Sequence, residues 1–421
     1  MGRLGMTDVR TVDEPGSHAS HVSHALHAVH TSCSPRGRLW SKRRGCGKGR
    51  APGFRGTSTH QRLWQRTLTI FAAFLLALVV AAAPTPAPAR AQAQTSARAQ
   101  ALAHRDDLPR QVAQIAVGPG PLGIAMAKHH GTLAFVSNFE AETVSVIDTK
   151  HRVVVATPTV GSNPAPVVAA TNGRLVYVGT LTTIAVLDTA TFTVVRTLGA
   201  EGEGSFALAL SPNGRLLYAD PGGSGPVTVF DTQTGAVVKQ FLPTNGHPGA
   251  LAVSPDGRRL FVGVFDKPFW VDVFDTKTLT QQAAISVPLN PFGLTVAPNG
   301  RHLYVTNWGD FTNIIPVAGH TVQVFDTASL QLVGTVTVGD FPSAVAFSPN
   351  GQLAYVVNNT QPGTVSVVRT RDLQVVTTVA VGVCPTSVAV TPDDGHEAYV
   401  TNTGAGAVCA TSQNTVSVLA Q

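Results

Sequence analysis

Residues 291–307, PFGLTVAPNGRHLYVTN, decide the fold of this chain. Two short runs of β-branched and aromatic residues flank Pro298-Asn299-Gly300, and this pattern predicts a β-hairpin. The proline presets φ in the turn, and the glycine accepts the positive φ that follows. A third strand is predicted over 322–327, where it ends on an Asp-Thr turn cap, and a fourth over 330–338. Four antiparallel strands in one unit are typical of a propeller blade.

The same pattern occurs seven times along the chain. The copies are separated by 43, 41, 43, 43, 51 and 43 residues, which is close to the repeat length of about 40–45 residues seen in propellers. A single blade cannot bury both of its faces, so the blades must stack against each other. We therefore predict an all-β, seven-bladed β-propeller of four-stranded antiparallel blades over residues 111–421. The copies begin at Pro121, Pro164, Ser205, Pro248, Pro291, Pro342 and Pro385.

The recurrent strands resemble those of a known repeat family. The second strands read AFVSN, VYVGT, LYADP, LFVGV, LYVTN, AYVVN and AYVTN, and most third strands end on Asp-Thr. This register resembles the YVTN family of β-propeller repeats, with lactonase-like and surface-layer-like members. The resemblance implies a secreted or cell-surface protein. Blades 2, 3 and 4 depart from the pattern, because Thr180, Pro221 and Val264 stand where the family has asparagine.

The two ends of the repeat region complement each other. The last copy stops after its third strand, at residues 416–419, whereas residues 111–118 read as a fourth strand with no partners before it. We predict that this N-terminal strand closes the last blade. Closure would remove the open sheet edge that otherwise promotes aggregation.

The segment before the repeats differs in charge and hydropathy from the rest. Residues 1–93 hold 13 Lys/Arg and 3 Asp/Glu (+10), which leaves 17 and 21 (−4) for the remainder. The basic charge thus lies outside the repeats, and we expect no nucleic-acid binding. The apolar run 68–83 follows Arg62 and Arg66 and precedes Ala-x-Ala sites, as in a secretory signal. We divide the chain into an extension (1–66), a signal peptide (67–93), a linker (94–110) and the propeller (111–421).

Two alternatives remain open for this segment. If the apolar run is not cleaved, it would anchor the protein to the membrane. Residues 1–66 are either a disordered basic extension or the product of a misplaced start, and their five histidines at every third position, from His18 to His30, allow a metal-binding tract. We predict cleavage, and hence a protein that is secreted, periplasmic or displayed on the cell surface. We also expect it to be a monomer.

Two cysteines lie within the repeats. Cys384 precedes the inner strand of blade 7, and Cys409 lies between its second and third strands. Both loops are expected on the same face of the propeller, and an even pair in an exported domain favours a disulfide. Two free thiols are the alternative.

The innermost strands carry no ionisable residue over the seven predicted segments. Haem-attachment, nucleophile-elbow and EF-hand motifs are absent as well. We therefore predict no catalytic residue, no metal site and no cofactor, and a binding or scaffold propeller that recognises a protein, a glycan or a small ligand. A lactonase-like or lyase-like enzyme is the alternative, and its chemistry would have to come from loop residues such as His247, Asp266 and Asp310.

The loops of blades 4 and 5 are the most unusual on the predicted surface. Blade 5 has the longest copy, and aromatic residues are concentrated in its long loop and in the matching loop of blade 4. Loop aromatics mark recognition surfaces, although a long loop can instead pack its aromatics against itself. The predicted ligand-binding residues are His247, Phe265, Phe269, Trp270, Trp308, Asp310, Phe311 and His320.

Overall fold

The computed structural model describes residues 108–128, 131–199, 204–222, 225–310, 317–393, 396–406, 409–410 and 413–421. The extension, the signal segment and the linker up to residue 107 lie outside these residues, and so does Phe311. Among the described residues, no helix has the length and hydropathy needed to cross a membrane.

The described residues form seven four-stranded antiparallel sheets. Blade 1 contains β2 (Pro121–Lys128), β3 (Thr132–Asn138), β4 (Thr143–Asp148) and β5 (Val153–Ala156). Blade 2 contains β6 (Val167–Ala169), β7 (Leu175–Gly179), β8 (Ile184–Asp188) and β9 (Val194–Leu198). Blade 3 contains β10 (Ala207–Leu210), β11 (Leu216–Asp220), β12 (Val227–Asp231) and β13 (Val237–Phe241).

The next three blades repeat the same order from the innermost to the outermost strand. Blade 4 contains β14 (Pro248–Val253), β15 (Arg259–Val264), β16 (Trp270–Asp275) and β17 (Thr280–Ser286). Blade 5 contains β18 (Pro291–Val296), β19 (His302–Asp310), β20 (Val317–Asp326) and β21 (Leu332–Thr337). Blade 6 contains β22 (Pro342–Phe347), β23 (Leu353–Asn358), β24 (Thr364–Arg369) and β25 (Gln374–Ala380).

Blade 7 is built from both ends of the repeat region, and this confirms the predicted fold class. Its strands are β26 (Pro385–Val390), β27 (Glu397–Asn402), β30 (Thr415–Ala420) and, outermost, β1 (Arg110–Ala116). β1 pairs with β30 from Arg110↔Ala420 to Ala116↔Thr415. A two-stranded hairpin, β28 (Ala405–Gly406) with β29 (Cys409–Ala410), is inserted between β27 and β30.

The hydrophobic core is divided into seven clusters, each lying between two neighbouring blades. The tyrosines of the second strands, such as Tyr304 and Tyr355, are almost fully buried there. The asparagine that ends several second strands serves the fold as well. Asn138 donates to Ser145 at 2.9 Å on the neighbouring strand. Asn402 makes the same bond to Ser417 at 2.9 Å.

The antiparallel order of the strands gives the propeller two faces, an upper and a lower one. The upper face consists of the loops that lead from one blade to the next and the loops between second and third strands. The lower face consists of the hairpin turns between first and second strands and the turns between third and fourth strands. The Asp-Thr pairs cap the lower turns: Asp326, for example, accepts the N–H of Ser329 at 2.7 Å.

Candidate functional site

Blade 5 differs from the other blades at its upper end, where its two middle strands are extended. β19 has nine residues and β20 has ten, so part of the predicted long loop is a strand hairpin that rises above the other strands. The ladder slips between Asn307 and Gly309, which marks a bulge. Gly319 permits this geometry, because a Cβ at that position would overlap the Asn307 carbonyl oxygen.

A continuous row of aromatic rings runs across the upper face beside this hairpin. Phe265 stacks on Phe292 with centroids 5.9 Å apart. Phe292 contacts Trp308 at 4.7 Å, and Trp308 meets Phe341 edge-on at 6.3 Å. We call these four residues the aromatic row. Three of its members are partly exposed, and Phe341 is buried.

The end of the row is held by an unusual backbone conformation. Phe341 has φ of 53°, a left-handed conformation that is rare for a bulky side chain and costs about 1 kcal/mol or more. Gly120 and Asn163 occupy the equivalent position in the entries to blades 1 and 2 with the same sign of φ, and those residue types adopt it more easily. The backbone at the entry to blade 6 is therefore strained at Phe341, the residue whose ring contacts Trp308.

Two charged pairs flank the row. His247 and Asp266 lie 2.6 Å apart, measured from Nδ1 to Oδ2, and the same carboxylate accepts the His247 N–H at 2.8 Å. Lys267 Nζ lies 2.6 Å from the Oδ2 atom of Asp310. The second pair joins the upper loop of blade 4 to the extended hairpin of blade 5, and the Asp310 side chain in it is only 8 % exposed.

The structure assembles some of the predicted site residues and separates others. Phe265, Trp308, His247 and Asp310 belong to the aromatic row or to the flanking pairs. Phe269 does not, because it is 3 % exposed in the core between blades 4 and 5. Its inclusion among the exposed rim aromatics was wrong, since its ring packs with residues of both blades, such as Val271 and Leu294, in that core cluster. Trp270 and His320 remain on the surface, while Phe311 lies outside the described residues.

Sequence reasoning missed Phe292, Phe341 and Lys267. Phe292 could have been found by comparing the repeats, because the matching residue in most other blades is small or aliphatic. The matching residues are Leu122, Ala165, Gly249, Ser343 and Thr386, and Phe206 of blade 3 is the exception. Phe341 and Lys267 carry no comparable signal, because their positions differ in type from blade to blade.

Two buried carboxyl groups lie near the upper ends of blades 3 and 4. Asp220 accepts the Gly222 N–H at 2.8 Å through Oδ1, and burial raises the pKa of Asp220 to about 7. Asp272 accepts a 2.6 Å bond from Asn245, and its pKa is raised mainly by burial. The Oδ2 atom of each is buried with no hydrogen-bond partner. In blades 1 and 7 an asparagine of the second strand donates its side-chain amide to the third strand. In blade 4, Val264 replaces that asparagine, and the amide bound to Asp272 comes instead from Asn245, in the loop from blade 3.

The lower face carries a depression of about 490 Å³ between blades 4 and 5. Pro255, Pro298 and Arg301 contribute to its wall, together with two aspartates. The pKa of Asp326 is lowered, chiefly by the backbone N–H of Ser329, so this group already serves the turn. Among the described residues, no group of three or more His, Cys, Asp or Glu side chains is placed to hold a metal ion. The upper face is therefore the stronger candidate site.

Comparison with known proteins supports the fold. A solved structure of hydrazine synthase from Kuenenia stuttgartiensis superposes with a TM-score of 0.62 at 20 % identity, covering 72 % of this chain and 96 % of that one. At this identity the likeness concerns the fold alone. No protein-family description matches the chain, and no curated protein matches it either. The similarity to YVTN repeats thus remains a prediction from the repeat motifs.

Proposed function

We propose that this protein is an exported, non-catalytic binding propeller that recognises its ligand through the loops of the upper face. The aromatic row is the observation that carries the proposal. Four rings are in contact across blades 4, 5 and 6, and three of them, Phe265, Phe292 and Trp308, form a partly exposed apolar surface. Partly exposed aromatic clusters of this kind are typical of recognition surfaces, where aromatic side chains supply much of the binding energy.

The site is built on rigid elements, as a recognition surface requires. Phe292 lies on β18, and Trp308 lies on the extended β19. The pair of Lys267 and Asp310 holds the neighbouring loop against the hairpin. A lactonase-like or lyase-like enzyme is the second candidate, because His247 and Asp266 form an acid–base pair next to the row. Hydrolysis of a panel of lactones, measured with the purified protein and its Asp266→Asn variant, separates this candidate from the binding propeller.

Replacing Trp308 with alanine is expected to abolish most ligand binding. The indole contacts both Phe292 and Phe341, so its loss breaks the row at its centre and should cost about 2 kcal/mol or more, as at other aromatic hot spots. The measurement is a comparison of wild type and variant on arrays of peptides and oligosaccharides, followed by affinity measurements on each hit.

Trp270→Ala is the matched control, because it removes an indole from the first residue of β16, outside the ring contacts of the row. This variant should bind like the wild type. Gly319→Ala provides a second test, since the clash with Asn307 should distort the extended hairpin and reduce binding without touching any ring. Equal binding by wild type and Trp308→Ala would refute the proposed function.

We also propose that Cys384 and Cys409 form a disulfide in the exported protein. Cys384 is 2 % exposed, and its carbonyl accepts the Thr403 N–H at 3.3 Å, so it is fixed beside the loop that leads into the inserted hairpin. Mass spectrometry of the secreted protein under non-reducing conditions should show one cross-linked peptide pair and an N-terminus after the apolar run 68–83. The bridge is expected to contribute roughly 3 kcal/mol in the chain-entropy model. Two alkylatable thiols in the native protein would contradict it.

A further inference from the structure

The two faces of the propeller differ in their charged groups. The described loops of the upper face contain four exposed or partly exposed acidic groups, the buried Asp310 and one lysine, a formal charge of −4 (one minus five) with histidine neutral; the other groups are Glu140, Glu142, Asp266, Asp340 and Lys267. The lower face has an exposed arginine at the same hairpin position in four consecutive blades, namely Arg174, Arg215, Arg258 and Arg301. The lower turns also carry aspartates such as Asp231 and Asp326. The one-sided charge is therefore that of the upper face, and such a charge orients a positively charged partner as it approaches.

The acidic groups of the upper face follow the aromatic row. Asp266 is adjacent to Phe265 in sequence, Asp310 lies two residues after Trp308, and Asp340 precedes Phe341. Asp310 is buried and paired with Lys267, so the accessible carboxylates next to members of the row, Asp266 and Asp340, carry a formal charge of −2. The face of an aromatic ring also attracts cations. The rings and the carboxylates therefore both favour a positively charged ligand group.

The length of the row indicates what carries that group. Because Phe341 is buried, the accessible part of the row runs from Phe265 to Trp308. Its two centroid spacings are 5.9 and 4.7 Å, so it extends for at most about 11 Å. An extended peptide rises about 3.3 Å per residue and places alternate side chains on one side. About four residues of an extended chain would cover this length and place two side chains against it. A single small cation would contact one or two rings.

We propose that the upper face binds an extended, lysine- or arginine-rich segment of a partner protein, with alternate basic side chains over the aromatic row and their charges beside Asp266 and Asp340. This inference rests on the proposed binding function and specifies its ligand. The aliphatic stems of such side chains pack on the rings while the charged ends meet the carboxylates.

The test uses the full-length protein and a fluorescent seven-residue peptide with lysine at alternate positions and serine between them. A second peptide carries acetyl-lysine at the same positions, which keeps the shape and removes the charge. The unmodified peptide should bind about tenfold more tightly, equivalent to about 1.4 kcal/mol, and its affinity should fall with added salt. Trp308→Ala should weaken it about thirtyfold and Asp340→Asn about threefold, whereas Arg215→Gln on the lower face should leave it unchanged.

The outcomes separate this inference from the function on which it rests. Equal affinity for the lysine and acetyl-lysine peptides would overturn the basic-peptide inference. If a neutral oligosaccharide such as cellohexaose then binds in a Trp308-dependent manner, the binding function stands with a different ligand. If Trp308→Ala weakens neither the peptide nor the oligosaccharide, both proposals fail. Circular dichroism of each variant, compared with that of the wild type, confirms that the fold is intact.

Discussion

Deleting residues 108–116 is expected to destabilise the whole propeller, because this segment contains β1, the outermost strand of blade 7. The deletion removes the ladder from Arg110↔Ala420 to Ala116↔Thr415 and uncovers one face of the core between blades 7 and 1. Ile115, 7 % exposed, packs there with Val416, Val418 and Tyr399. The deletion would also leave β30 as an open edge strand, which invites aggregation.

A single substitution gives a lower limit for the loss of stability caused by the deletion. Ile115→Ala should lower the free energy of unfolding by about 2–5 kcal/mol, as for other buried aliphatic residues, and the deletion should cost more. Thermal and urea unfolding measure both. A deletion of equal length at residues 94–102, in the predicted linker, is the matched control and should leave the melting temperature unchanged. Unaltered unfolding of the β1 deletion would refute the role of this strand in closure.

Asp220 is expected to make the protein less stable as the pH rises from about 4 to about 7. Burial raises its pKa in the folded protein from 3.8 to about 7. Between these values the unfolded chain has lost the proton that the folded protein keeps, so stability falls as the pH rises and the full penalty is present above pH 7. Three pKa units correspond to about 4 kcal/mol.

The position of Asp220 explains why it keeps its proton. Leu217 and Ala219 face blade 2 and Tyr218 faces blade 4, so the strand pleat directs Asp220 toward blade 4. The matching residues Ser137 and Thr401 donate their hydroxyl hydrogens to carbonyls of the next blade, at 2.8 and 2.9 Å. A protonated carboxyl can make the same kind of bond, and an ionised carboxylate cannot.

Substituting Asp220 with asparagine tests this account, since asparagine keeps the shape and can donate at every pH. Urea unfolding at pH 5 and pH 8 should show a smaller loss of stability in Asp220→Asn than in the wild type, by up to about 3 kcal/mol, because about two pKa units lie between pH 5 and the folded-state pKa. Asp231→Asn serves as a control. Its carboxyl caps an exposed turn, and its pKa is lowered, chiefly by the Thr234 N–H. If wild type and Asp220→Asn lost the same stability between the two pH values, Asp220 would be ionised throughout this range.

The repeat pattern predicted the blade architecture because each blade is stabilised by local pairing. The Pro-Asn-Gly hairpin and the Asp-Thr turn depend on residues within about five positions of one another, as in the bonds from the Asp326 carboxylate to Ala328 and Ser329. Closure by β1 could also be predicted, because the last copy has three strands instead of four and residues 111–118 supply one strand without a blade. The role of the repeated asparagine did not follow from the sequence, because Asn138 and Ser145 meet across two strands.

The candidate site was only partly predictable. Phe265 and Phe269 are both loop aromatics in sequence, yet one lies in the aromatic row and the other in the core. Which of them is exposed depends on how the loop of blade 4 meets blade 5. Phe341 was not predicted, because it belongs to the entry of blade 6 and reaches Trp308 only when these blades are stacked.

The sequence by itself determined the number of blades, their strand order and the charge of each segment, since these follow from periodic patterning and local turns. Only the tertiary structure decided that the aromatic rings form one row flanked by the pairs of Asp266 and Asp310, and that Asp220 is buried between two blades. These properties arise from contacts between blades, such as those of Phe265 with Phe292 and of Trp308 with Phe341, and no local pattern specifies which loops of neighbouring blades will meet.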